Sequence, residues 1–152
     1  MISRTSLHAI RAIIVLAQLP PASYAGTANL AQAIGAPPNY LGKLLQQLTR
    51  SGLVKSQKGL GGGFRLGRPA SEISLFHVVE PLEHISRWEG CILGRPSCDH
   101  TNPCALHHRW KVVRDAYLKL LHETTIASLQ SADAEALAQM LDTSLAAVPT
   151  TP

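Results

Sequence analysis

The chain has 152 residues, 45% of them hydrophobic, with three cysteines and no apolar run of the roughly 20 residues that span a membrane. Its net charge of +4 hides a division. The first 70 residues hold eight Lys and Arg and no acid, and the rest hold six against ten acids, so a +8 segment precedes a −4 segment. Eight unopposed cations in a folded segment point to a polyanion, because neutralising phosphates releases condensed counterions.

In chain order, Leu7, Ile10, Ile14 and Ala17 recur at helical spacing. They predict a first helix over 6–18, capped by Thr5 or Ser6 and ended by Pro20 and Pro21. Arg11 interrupts this apolar stretch, and the flanks lack the form of a signal peptide, so the chain reads as cytoplasmic with reduced thiols. Thr27 caps a second helix that turns Leu30, Ala31 and Ile34 inward and ends at Gly35. Pro37 and Pro38 open a third, since a first-turn proline forfeits no needed hydrogen bond. Its Leu41, Leu44, Leu45 and Leu48 make an i, i+3, i+4, i+7 stripe. Asn39, Tyr40, Lys43, Gln47 and Arg50 occupy its other face. A short helix, a tight turn and a basic second helix describe a helix-turn-helix, with the third helix as the reader of double-stranded DNA.

Residues 53–57 read as a strand, 58–63 as a glycine-rich turn and 64–66 as a returning strand. This hairpin is a wing, with Lys58 at its basic tip and Arg65 on its return. It is no nucleotide loop, because neither Gly-Lys-Ser/Thr nor a helix follows. With no nucleophile elbow and no paired-carboxylate cleft, the chain does not read as an enzyme. Ser74 caps a fourth helix through Leu75, Val78, Val79 and Leu82, which Pro81 kinks.

Residues 90–103 are a loop that carries Cys91 and Cys98, and Cys104 follows directly, in a C-x6-C-x5-C pattern. Three clustered thiols suit a soft or borderline metal and call for a fourth donor; His107 and His108 stand just behind. Residue chemistry alone leaves an iron–sulfur cluster, a zinc site and a simple thiol sensor of oxidants all open. His108 points about 100° away from His107 on a helix and is the weaker donor. His77, His84 and His122 read as surface or core residues. From Cys104 onward, Leu106, Trp110, Val113, Tyr117, Leu120 and Thr124 form a heptad-like seam, a dimerisation helix with Trp110 as its anchor. Residues 132–147 read as a marginal helix and 149–152 as a tail. The expected fold is mainly α with a small β-hairpin wing. It divides into a winged helix-turn-helix (1–82), a cysteine-rich loop (83–104), a dimerisation helix (105–130) and a weakly structured end (131–152).

Three features in order carry a family resemblance over residues 1–130. They are Tyr40-Leu41 with Leu44-Leu45, the Gly-Leu-Val…Gly-Leu-Gly-Gly-Gly-Phe-Arg-Leu wing, and the cysteine cluster. The chain resembles the Rrf-type bacterial winged-helix regulators, the IscR/NsrR/RirA-like family. The resemblance implies a homodimer on a palindromic operator, with an iron–sulfur cluster responding to redox state, nitric oxide or iron status. It places Asn39, Tyr40 and Lys43 toward the bases and Lys58 in the wing contact. Cys91, Cys98 and Cys104 become cluster ligands, with one more residue in the first gap than the family usually has. His107 stands where a histidine ligates a two-iron cluster in some members. His8 stands where others place a carboxylate, and is the alternative fourth ligand. A 2Fe-2S cluster is favoured over 4Fe-4S, with zinc as the alternative metal.

Overall fold

Helix α1 (Arg4–Ala17) buries Ala9, Ile10, Ala12, Ile13, Ile14 and Leu16 as well as Ser6, His8 and Arg11. A helix sealed nearly all round sits inside its domain, and α1 packs against each of the other helices of the winged half. The computed structural model describes residues 2–89, 91–95 and 101–131. Cys98, His100 and the segment expected over 131–152, apart from Ser131, lie outside the described residues. The cap of α1 is Ser3, whose Oγ accepts from the Ser6 amide at 3.2 Å. The expected caps Thr5 and Ser6 are already helical, and Ser6 is buried.

Helix α2 (Thr27–Ile34) starts at its expected cap Thr27, so that Gly26 takes the cap position and offers no side chain. Gly35 closes it in the left-handed conformation at φ +66°. Helix α3 (Pro38–Arg50) has Pro38 in its first turn, and Leu41, Leu44, Leu45 and Leu48 are buried as the periodicity requires. Burying each of these leucines contributes about 2 kcal/mol.

The wing is the antiparallel pair β1 (Val54–Gln57) and β2 (Gly63–Leu66), in register from Val54 opposite Leu66 to Gln57 opposite Gly63. Ala25, in the loop before α2, pairs with Phe64 through two 2.9 Å backbone hydrogen bonds. The wing is therefore stitched to the helix-turn-helix as well as hinged from it. Gly63 makes this possible. Its φ is +143°, and a Cβ there would strike the Ala25 carbonyl.

Helix α4 (Leu75–Glu83) starts at Ser74, whose Oγ accepts from the His77 amide while His77 Nδ1 accepts from the Ser74 amide. Helix α5 (His107–Glu123) begins three residues later than expected, after a turn in which the His107 amide bonds the Cys104 carbonyl at 3.0 Å. The helix expected to run to residue 130 breaks at Thr124, which is extended. There the Thr124 carbonyl accepts from the Leu75 amide, and the Ile126 amide donates to the Ile73 carbonyl. The chain then forms α6 (Ile126–Ser131), capped by Thr125 Oγ1 on the Ser128 amide and seated on α1 through buried Ile126. Main-chain bonding to the α4 entrance outweighs continuation of the helix. Among the described residues no helix is long and apolar enough to cross a membrane.

Candidate DNA-binding face and thiol site

The outer face of α3 presents Asn39, Lys43, Gln46 and Arg50 to solvent. Their spacing of four, three and four residues puts them on one line along the helix. Gln46 escaped the sequence reading, although its helical spacing from Lys43 and Arg50 marks it. Gln47 is exposed as well, at the edge of this face, and its Nε2 donates to the Pro81 carbonyl at 2.9 Å. Pro81 lies near the end of α4, where carbonyls run out of helical partners, so Gln47 caps α4 and locks it to α3. Tyr40 is half-buried, with its ring edge-on to His8 at 5.6 Å. It stands on the border of the face instead of projecting from it.

The wing extends this surface. Lys55 and Lys58 are exposed, and Leu60 projects fully from a tip that Gly59 (φ +94°) and Gly61 (φ +73°) allow to turn. Arg65 points back toward the domain, with its guanidinium 5.0 Å over the Tyr24 ring. Of the seven residues expected to contact DNA, Asn39, Lys43, Gln47, Arg50 and Lys58 are exposed. Tyr40, Gln47 and Arg65 are wholly or partly engaged with the protein.

The thiol site lies in the stretch between α4 and α5. Cys91 and Cys104 bring their sulfurs to 3.9 Å, far beyond the S–S bond of about 2.05 Å. A turn closed by Gly94 N on the Cys91 carbonyl at 2.9 Å shapes the first limb of the loop. Arg95 Nη1 donates to the Asn102 carbonyl at 3.0 Å and ties the first limb to the second. Backbone N–H groups of Leu93 and Arg95 hold the Cys91 thiol below its ordinary pKa, and the Cys104 side chain and the Arg95 charge act the same way.

The expected fourth donors stand elsewhere. His107 is buried, at 2% exposure, in the first turn of α5, with its ring edge-on to His108 at 5.1 Å. His8 is sealed in the winged half, where burial, Arg11 and Arg4 lower its pKa. Among the described residues no three His, Cys, Asp or Glu side chains gather in one group. The structure thus unites two of the expected ligands and brings neither histidine to them.

Beyond the loop, α5 leaves an apolar stripe uncovered. Val112, Val113 and Leu120 are 70%, 60% and 56% exposed, with Leu106 and Ala116 exposed beside them. Another face of α5 carries the Lys111–Asp115 and Lys119–Glu123 pairs. Leu121 is buried, and the His122 ring stacks on Phe76 of α4 at 3.9 Å.

Comparison with known proteins matches this architecture. The Rrf2 family profile, described as an iron-dependent transcriptional regulator, matches residues 2–132. Protein aau3 of Rhizobium meliloti (strain 1021) is 38% identical over 105 residues, 68% of either chain. CymR of B. subtilis, the global cysteine regulator, superposes with a TM-score of 0.71 at 26% identity, covering 86% of this chain and 96% of that one. IscR of T. potens shares the fold, with a TM-score of 0.72 at 23% identity and 90% of each chain covered. The chain belongs to the Rrf2 family and is a winged-helix transcriptional regulator that binds DNA, not an enzyme.

Proposed function

We propose that the protein binds a palindromic operator as a homodimer, and that an iron–sulfur cluster on Cys91, Cys98 and Cys104 sets its affinity or its choice of site. The observation that carries this reading is the meeting of the Cys91 and Cys104 thiols between the winged half and an uncovered dimer stripe. Two thiolates about 2.3 Å from one tetrahedral ion stand about 3.8 Å apart, and the observed 3.9 Å suits them as ligands of a shared centre. The iron-dependent description of the family supports an iron-linked signal.

The chain's own residues divide the work. Asn39, Lys43, Gln46 and Arg50 enter the major groove from α3, where Lys and Arg meet guanine edges and phosphates. Lys58 places the wing on the backbone. Cys91 and Cys104 hold the two limbs of the loop, and Cys98 is assigned as the third thiolate. His107 becomes the fourth ligand if its ring leaves the protein interior, with His8 as the alternative. When bound, the cluster supplies an iron centre whose charge and ligation follow redox conditions. The loop feeds directly into α5, so its state bears on how the two recognition helices are spaced across a dimer.

Anaerobic purification tests this. The expected product is brown protein with iron and acid-labile sulfide, whose holo and apo forms bind a selected operator with different affinity or preference. Colourless protein holding zinc moves the site to the zinc reading, and equal binding by holo and apo forms removes the sensor role.

A further inference from the structure

One cleft takes no part in the DNA face or the thiol site. It lies between the C-terminal end of α1, the loop at residues 19–23 and the base of the wing, and has a volume of about 210 Å3. Leu16, Leu19, Pro20 and Leu66 give it apolar walls, and Arg65 and Arg68 line it with them. The Nε of each arginine is sealed from water and has no hydrogen-bond partner. Among the described residues the ion pairs lie on α5, so neither guanidinium is neutralised, and the first 70 residues contain no acid. Tyr24 steadies Arg65 through its ring face but accepts none of its N–H groups.

Two half-buried cationic side chains without an ion-pair partner among the described residues, beside an apolar wall, suit an oxyanion that carries a hydrophobic body. We propose that this cleft binds a small organic anion, its carboxylate or phosphate head on Arg65 and Arg68 and its short apolar body against Leu16, Leu19, Pro20 and Leu66. Duplex phosphates are the competing source of the same chemistry. They suit exposed cations such as Lys43 and Lys58, whereas Arg65 and Arg68 are half-buried and line the cleft with Leu16, Leu19 and Leu66.

The position gives such a ligand a lever. Arg65 is on β2, Leu16 is on α1, and the loop between α1 and α2 leads to Ala25, which is hydrogen-bonded to Phe64 of β2. An occupant bridges the wing and the helix-turn-helix, and so acts on the angle between two DNA-contacting parts.

Calorimetry on the full chain with hexanoate, hexan-1-ol and inorganic phosphate decides the matter. Saturable hexanoate binding is expected, with the other two weaker by about tenfold or more, because both the charge and the body are needed. Arg68→Gln should weaken hexanoate by about tenfold or more. Ala17→Phe, which fills the cleft, should abolish binding while the melting transition stays cooperative, and it stands alone if Arg68→Gln fails to fold. Three results overturn the proposal: no saturable binding, equal binding of hexanol or of inorganic phosphate, or unchanged hexanoate binding in Arg68→Gln. If that variant instead loses DNA affinity with a shallower salt dependence, the arginines serve duplex phosphates.

Discussion

Gly63 shows how much one backbone position can hold. With φ at +143° and the Ala25 carbonyl where a Cβ would sit, Gly63→Ala faces both a strained conformation and a backbone clash that no side chain can relieve. It should cost about 2 kcal/mol or more in denaturant unfolding and loosen the wing; a wild-type midpoint would contradict the stitched hairpin. His77 makes a different prediction. Burial first, then the charges of Arg68 and His122, hold its pKa below 6.5, and its Nδ1 accepts from the Ser74 amide. As pH falls, the unfolded chain takes up this proton before the folded one. The stability this residue contributes is therefore full above pH 6.5 and declines below it. His77→Gln keeps a capping acceptor without the titration. Its melting temperature should fall less between pH 7.5 and 5.5 than that of the wild type. His8, depressed by burial, Arg11 and Arg4, adds a slope of the same sign.

At the scale of elements, α3 separates residues that composition alone treats alike. Lys43→Ala should weaken DNA binding and lower the salt slope by about one, and Gln46→Ala should change base preference with little effect on stability. Gln47→Ala should leave DNA binding alone and cost about 1 kcal/mol, since it frees the Pro81 carbonyl. A Gln47→Ala chain that folds normally and binds DNA poorly would return Gln47 to the recognition face. The hydrogen bond from Gln47 to Pro81 was not legible, for a physical reason. Periodicity says which residues leave the core, and the leucine stripe of α3 was legible in full, but it cannot say which neighbouring helix a polar side chain meets. The same limit explains α5. Its seam of Leu106, Val113 and Leu120 could be read from spacing, and these residues are indeed exposed. The break at Thr124 could not, because it depends on main-chain bonds to Ile73 and Leu75, some 50 residues earlier in the sequence. The meeting of Cys91 and Cys104 was legible because cysteine has few other reasons to crowd. The burial of His107 was not, because spacing places a residue near a site without orienting its ring.

For the whole molecule, the two ends of the charge division have different tasks: a basic winged half faces DNA, and a more acidic half holds the thiols and the uncovered stripe. One winged helix offers a short row of groove contacts, so on the proposed palindromic operator most of the affinity would come from joining two copies. Val113 and Leu120 are 60% and 56% exposed and lie seven residues apart on α5, so a glutamate at each places charge on the seam without opening the core. The Val113→Glu/Leu120→Glu chain should keep its helical circular dichroism and sediment as a monomer where the wild type sediments as a dimer. Its affinity for a palindromic duplex should fall by about a hundredfold or more, while affinity for a single half-site stays within about twofold. A parallel loss on the half-site would mean that the substitutions damage the winged half itself. A wild-type chain that remains monomeric at micromolar concentration would separate the stripe from dimerisation altogether.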